Sequence, residues 1–365
     1  MEISLLRIST VVLVVAALTG CAGQSRVVPP PPVAVVEPPR SSPPIVTDRF
    51  LLETPEQTIV GQLQVIEARY EDTFVAIART YNVGFDELVA ANPDVDAWLP
   101  GEGTRIVLPT RFVLPDGPQE GIVVNLARKR LFYYLPPDAD GRRVVVTYPL
   151  GIGKEGTVTP VGSTTVVLKR ENPIWTPPQS VREEHIAKGD PLPAQVMPGP
   201  DNPLGAHALN LAMPSYLIHG TNKPAGVGMR SSHGCLRMFP ENIAFLYESV
   251  PVGTPVRIVN QPWLFGWEDG RLYLEAHTPQ SDDTRDHAKL FAKQLDAVLK
   301  AAPNGAALLA TDRVQSLKEK ALGVPMPVQQ SQPSPVEILA AARFVHNLVE
   351  LPEPNPELVA QQISQ

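Results

Sequence analysis

The sequence predicts a mainly β domain, with a small β-α-α-β unit before it and a partly helical extension after it. Three observations carry that reading. From Gly121 onward, Ile122-Val123-Val124-Asn125-Leu126, Arg130-Leu131-Phe132-Tyr133-Tyr134 and Val144-Val145-Val146-Thr147-Tyr148 are rich in β-branched and aromatic residues and separated by turn formers. Between Gln62 and Pro109, two strand-like runs bracket two short helical patterns. Towards the end, apolar residues recur at helical spacing, first Leu290, Phe291, Leu295 and Leu299, then Ile338, Leu339, Ala342 and Val345.

The chain has 365 residues, enough for two or three domains, and is 43% hydrophobic. Its 41 prolines are about twice the usual share. A net charge of −7 and the lack of a long basic run argue against nucleic acid as a partner, because phosphate binding needs concentrated Lys and Arg.

Residues 1–20 read as a signal peptide: Arg7 precedes an apolar run, Val11 to Leu18, too short for a comfortable membrane span. Residues 21–60 read as a tether, since Pro29–Pro32, Pro38-Pro39 and Pro43-Pro44 favour extended polyproline geometry. In the unit 62–109, Leu63 to Ala68 is the first strand. Asp72 or Thr73 caps a helix with Phe74, Ile77, Ala78 and Tyr81 on its apolar face. Gly84 ends it, a second helix carries Leu88, Val89 and Ala90 and stops at Asn92-Pro93, and Arg105 to Leu108 is the second strand.

The main domain spans 119–260. Its strands include Thr164–Leu168, Tyr216–Ile218 and Val256–Val259. Within it, 171–206 is a proline-rich, irregular insertion holding Trp175 and His185, expected to cover a substrate. The extension 261–365 opens with a hairpin, Trp263 to Leu274, and continues with helices. The Pro-rich breaks at 325–335 and 351–355 predict a poorly ordered end.

The chemistry concentrates in Ile218–Met238, IHGTNKPAGVGMRSSHGCLRM. Cys235 stands there between His219 and His233. A thiol is an effective nucleophile as thiolate, and a nearby imidazole is the usual means of making one. The alternative is a buried structural cysteine with two unrelated histidines. A zinc site from His219, His233 and Cys235 fits poorly, because the CxxC and HExxH spacings are absent. No metal and no cofactor are expected. Backbone N–H groups at Gly234 and Cys235, together with His233, would form an oxyanion hole. Arg237 either binds a substrate carboxylate or pairs with a local acid. Ser232 either contacts substrate or shapes the turn.

His219-Gly220-Thr221 followed by Ser232-His233-Gly234-Cys235-Leu236-Arg237-Met238, with the cysteine sixteen positions after the first histidine, resembles the signature of the L,D-transpeptidase (YkuD) family. Asn125 to Tyr134 resembles the family's opening hairpin, and Gly151-Ile152-Gly153 and Thr159-Pro160-Val161-Gly162 its glycine and Thr-Pro-Gly signposts. The resemblance implies a YkuD-like β-sandwich, with Cys235 as nucleophile and His219 as general base oriented by the Gly220 carbonyl. It also implies a reaction. The thiolate attacks a peptidoglycan stem tetrapeptide at its third residue, D-alanine leaves, and the acyl group passes to an amine, as a 3-3 cross-link or the attachment of a wall-anchored protein. Arg237, Ser232, Thr221 and Asn202 are the candidate substrate contacts. Two other readings stay open: an L,D-carboxypeptidase or amidase of the same fold, or an inactive wall-binding lipoprotein.

Two further resemblances complete the expectation. Leu18-Thr19-Gly20-Cys21 resembles a lipoprotein lipobox, which implies cleavage before Cys21, acylation of that residue and a membrane anchor. Ala22 in place of aspartate implies outer-membrane retention facing the periplasm. Cys235 would then have no partner in the chain, a liability in an oxidising compartment unless the thiol has a task. The unit 62–109 resembles a LysM domain in Asp72-Thr73, Ile77-Ala78, Asn82-Val83, Leu88, Asn92-Pro93, Leu99-Pro100-Gly101 and Ile106 to Pro109, departing at Glu71 where the family usually has glycine. It implies contact with glycan strands through the loops at Asp72-Thr73 and Asn92-Pro93.

Overall fold

A computed structural model describes residues 48–301 and 309–350. The expected signal peptide, Cys21, the tether up to residue 47 and the chain end from 351 lie outside the described residues.

The chain opens with β1 (Arg49–Leu52) and β2 (Ile59–Gly61). The small unit follows as β3 (Gln64–Glu67), α1 (Phe74–Thr80), α2 (Phe85–Ala91) and β4 (Arg105–Leu108), and β5 (Arg111–Val113) leads out of it. Thr73 is the cap of α1, its side chain accepting from the Ala76 N–H. The main domain comprises β6 (Gly121–Asn125), β7 (Arg130–Tyr134), β8 (Arg143–Pro149), β9 (Ile152–Gly153) and β10 (Gly162–Glu171). It continues with α3 (Gln179–Ala187), β11 (His207–Leu211), β12 (Leu217–His219), β13 (Arg230–Ser232), β14 (Leu236–Arg237), α4 (Pro240–Ser249) and β15 (Pro255–Val259). The extension is β16 (Trp263–Glu268), β17 (Arg271–Ala276), α5 (His287–Ala301), α6 (Thr311–Lys320), β18 (Met326–Pro327), α7 (Pro335–Ala340) and β19 (Arg343–Phe344).

Nine strands form one mixed sheet in the order β1-β8-β7-β6-β15-β10-β11-β12-β14. The long strand β10 serves two layers. Gly162–Thr165 pair with β15, Val166–Glu171 with β11, and the register shifts between Val166 and Leu168. Both halves of the sheet feed one core. Val124, Leu131 and Val146 come from the first half, Leu209, Ile218 and Leu236 from the second, and Ile243 and Leu246 of α4 close it. The expected sandwich is thus a single sheet folded over its own core at a bulge.

Three expectations about the ends are corrected. The tether does not extend to residue 60: β1 pairs antiparallel with β8, Arg49 opposite Val146, and β2 with β5. Leu52 and Val60 are buried, so this stretch has apolar anchors that a polyproline spacer lacks. The extension is ordered past residue 325, with β18 paired to β17. The helix expected from the spacing of Ile338, Leu339, Ala342 and Val345 stops at Ala340, because Arg343–Phe344 pair parallel to β3 and Val345 enters the core of the small unit.

The small unit is therefore not a free bead. One face of its sheet packs Ile66, Ile106 and Leu108 against α1 and α2. The opposite face packs Val65 and Val107 against Trp263, Leu274 and Phe291 of the extension. Glu87 of α2 adds a charged contact to the main domain, where it meets both Arg130 and Arg128.

Candidate active site

The second half of the folded sheet presents its outer face as the floor of a cavity of about 480 Å³. Alternation along each strand decides what stands there. Leu209, Ile218 and Leu236 face the core, so their neighbours face out. One outward row is Arg170, Ala208, His219 and Arg237, each paired with the next across β10, β11, β12 and β14. Asn210 and Leu217, which pair with each other, lead the adjacent row, and Cys235 stands just before Leu236 beside Leu217. His219 thus ends β12, Cys235 immediately precedes its parallel neighbour β14, and both line the same cavity.

His219 is buried, with Nδ1 2.6 Å from the Gly220 carbonyl oxygen. A carbonyl only accepts, so Nδ1 carries the proton and Nε2 is left with the lone pair. Burial, then the Arg237 charge, push the imidazole down to about 4, against hydrogen bonding to the Gly220 and Leu204 carbonyls. Burial likewise pushes the Cys235 thiol up, against the Leu217 N–H and Arg237, which favour thiolate. Both groups therefore rest neutral at pH 7. The thiol lies 3.5 Å from the Ser215 carbonyl.

The loop carrying Cys235 is held tightly. Gly234 sits at φ +107°, and a Cβ there would meet the Tyr216 ring at 3.2 Å. Thr159 Oγ1 donates to the Gly234 carbonyl at 2.8 Å, and Thr157 Oγ1 to the Ser232 carbonyl at 3.1 Å. Ser232 Oγ donates to the Cys235 carbonyl at 2.6 Å and accepts from the Gly234 N–H at 3.1 Å. Ser232 thus shapes the turn and also lines the cavity, as His233 does, and the Gly234 N–H is already engaged.

Two expected substrate contacts, Asn202 and Thr221, are corrected. Asn202 is fully buried, its amide donating to the Pro173, Val196 and Met197 carbonyls and accepting from the Leu204 N–H. It pins the insertion and does not line the cavity. Thr221 is buried, its hydroxyl accepting from the Lys223 N–H, also away from the cavity. Arg237 does line it.

The insertion is more regular than its prolines suggest. It contains α3 and a backbone pairing of Trp175 with Val196, and Trp175, Val181 and Leu204 wall the cavity. Glu184 of α3 ties it to the loop carrying Cys235: Oε2 lies 2.8 Å from both His233 Nε2 and Lys154 Nζ, and Oε1 2.6 Å from Lys188 Nζ. His185 turns to Asp190 instead. Glu184, Thr159, Arg170 and Asn210 escaped the sequence reading. Thr159 alone carried a signal, as part of the Thr-Pro-Gly string. Among the described residues no group of three His, Cys, Asp or Glu side chains is placed to hold a metal ion.

Comparison with known proteins places this fold, with its cysteine and histidine lining one cavity, in a family. The family model of the L,D-transpeptidase catalytic domain (YkuD) matches residues 119–258. The probable L,D-transpeptidase YcfS of Escherichia coli (strain K12) is 42% identical over 265 residues, covering 71% of this chain and 81% of that protein. The probable L,D-transpeptidase YbiS of the same strain is 44% identical, covering 63% and 75%. The probable L,D-transpeptidase ErfK/SrfK of Salmonella typhimurium is 37% identical, covering 75% and 89%. The chain belongs to the L,D-transpeptidase (YkuD) family.

Proposed function

We propose that this protein is a cysteine-dependent peptidoglycan L,D-transpeptidase, with Cys235 as nucleophile and His219 as general base. The observation that carries the reading is the pair itself: both side chains line one cavity, and the Gly220 carbonyl holds His219 in the tautomer a base needs. The reaction starts from a neutral pair. As a peptide carbonyl reaches Sγ, the thiol proton passes to His219 Nε2 while the C–S bond forms. Backbone N–H groups of the 233–235 loop receive the oxyanion, Cys235's own N–H first, since that of Gly234 must leave Ser232 to take part. The imidazolium returns its proton to the leaving amine of D-alanine, and the thioester remains on Cys235. An incoming amine then repeats the steps in reverse and takes the acyl group.

Burial of His219 suits the second half of this cycle. An imidazolium held down to about 4 is a strong acid towards a departing amine. Trp175, Val181 and Leu204 wall the cavity in which the thioester would stand.

In the same reading the β-α-α-β unit is a LysM-type module. Its direct glycan contacts are not Asp72 or Asn92: both are buried and consumed by backbone and side-chain hydrogen bonds. The lipobox at Cys21 anchors the protein to the outer membrane, on the periplasmic side.

The test is incubation of the pure protein with tetrapeptide muropeptides and mass spectrometry of products. Wild type is expected to release D-alanine and yield dimers joined through an amine, and Cys235→Ala to yield neither. Release without dimers would replace the transpeptidase by a carboxypeptidase. Equal product from Cys235→Ala would overturn the assignment of the nucleophile.

A further inference from the structure

We propose that Arg170, held by Asn210 at the far end of the cavity floor, reads a carboxylate of the acyl-donor peptide that lies remote from the scissile bond. The inference rests on the acyl-transfer reading above and specifies its donor as an anionic peptide.

Arg170 and His219 lie in one outward row, separated by Ala208 of β11. Two strand spacings put their backbones about 10 Å apart. Arg170 Nε donates to Asn210 Oδ1 at 2.9 Å, and both residues line the cavity. Among the described residues Arg170 makes no ion pair and no other side-chain hydrogen bond. The contrast with Arg230, nearer the catalytic loop, is instructive. It is paired with Asp282 at 2.6 Å and bonded to the Gly153 carbonyl, so its charge is spent.

A half-buried guanidinium with one neutral partner keeps its two-pronged edge for a carboxylate, which it recognises better than any ammonium could. Asn210 fixes the guanidinium plane beforehand, which lowers the ordering cost of binding. Distance decides which carboxylate. The leaving residue's own carboxylate is about three bonds from the attacked carbonyl, roughly 3–4 Å away, and so stays close to Sγ, while the Arg170 guanidinium is held by Asn210, which pairs with Leu217, the residue beside Cys235. A carboxylate carried about six to eight bonds away can reach that guanidinium. The donor residue's side chain or the residue before it would supply one.

The experiment measures acylation of Cys235 by intact mass, as rate against concentration, for three tetrapeptides: the parent, one amidated at the third side chain, and one amidated at the second residue's free carboxyl. With the parent, Arg170→Ala is expected to raise KM about ten- to a hundredfold with kcat changed less than threefold, the size of one charged hydrogen-bonded contact. Arg170→Lys should recover part of the loss. One of the two amidated peptides should show the same raised KM on wild type and no further loss on Arg170→Ala, which identifies the carboxylate. Equal acylation of wild type by all three peptides would overturn the inference, even if the variant fails to fold. So would an Arg170→Ala loss of equal size on all three. Both of those outcomes leave acyl transfer standing. If wild type is acylated by none of the three, the acyl-transfer reading and this inference fall together.

Discussion

Arg130 Nη2 lies 2.6 Å from Glu87 Oε2, and this pair joins the β-α-α-β unit to the main sheet with neither side chain in water. Burial alone would raise the Glu87 carboxyl, but the charges of Arg130 and Arg128 and the hydrogen bonds to it hold it at about 2. Both guanidinium groups lie over the Phe112 ring, at 4.5 and 4.6 Å from its centroid. Glu275 takes Arg128 from the other side, so two buried acids balance two buried bases across three segments of the chain. Removing one member strands a charge. Glu87→Gln should therefore lower stability by about 3–5 kcal/mol, read as a shift of the chemical denaturation midpoint. A protein shortened to begin near Phe112 should lose its fold and its activity on every substrate. It would lack Glu87 and also β1, the strand that covers β8. Unchanged turnover of that shortened protein on soluble muropeptides would show that the small unit is a dispensable module.

The pH behaviour follows from His219. Its ring stays neutral down to about 4, so it is competent as a base across the neutral range. The acid limb of kcat/KM for acylation should fall near pH 4, well below the ordinary imidazole value of 6.5. Stability responds with the opposite partner in mind. Between pH 6.5 and 4 the unfolded chain binds a proton at this position and the native chain does not. Stability therefore drops as pH falls through that window, by about 3 kcal/mol from this residue. His219→Gln should remove that part of the slope and abolish activity. An acid limb at 6.5 in the folded wild type would mean that the imidazole is not desolvated as described.

Cys235 and His219 were legible as a candidate pair because they sit in one string whose residue types are unusual together, and the structure brings both to one cavity. The strands were legible for the same reason, as in Arg130–Tyr134, where β-branched and aromatic residues crowd between turns. What stayed hidden was long-range pairing. Glu87 reads as an exposed first-turn residue of α2, and only the arrival of Arg128 and Arg130 makes it a buried ion. Val345 fits a helical spacing from Ile338, yet it is buried through a strand lying beside β3. Asn202 and Thr221 looked like substrate contacts because they are polar and stand near the signature. Backbone carbonyls and N–H groups that the sequence cannot locate consume both. The outward row from Arg170 to Arg237 depends on the register of four strands and leaves no local trace.

Glu184 is placed to control the cavity wall. It gathers His233, Lys154 and Lys188 on one half-buried carboxylate, and those bonds hold its side chain well below the usual carboxylate range. Each such surface contact is weak alone and is screened by salt. Glu184→Ala should loosen α3, read as roughly two- to fivefold faster hydrogen exchange of the 179–187 amides. KM for acylation should rise more than kcat falls, and high salt should reproduce part of the effect on wild type but none on the variant. Identical exchange in both proteins would mean that Asn202 and the Trp175–Val196 pairing hold the insertion without Glu184.

Gly234 tests how far the loop carrying the proposed nucleophile tolerates displacement. Its φ of +107° is one that side chains rarely adopt, and an added Cβ would stand 3.2 Å from the Tyr216 ring and 3.6 Å from the Thr157 carbonyl. Relief requires the loop to move, and Cys235 is the next residue. A displacement of about 1 Å at a nucleophile costs about a hundredfold in rate. Gly234→Ala should therefore reduce acylation roughly a hundredfold, while the strain itself costs only about 1–3 kcal/mol of stability. Gly270 supplies the control, because it also has positive φ, +72°, but stands in the β16–β17 turn with nothing within 4 Å of an added Cβ. Gly270→Ala should lose comparable stability in denaturant and keep its acylation rate. If the two variants lose activity in proportion to their stability, general destabilisation accounts for the loss and the Gly234 geometry has no special role.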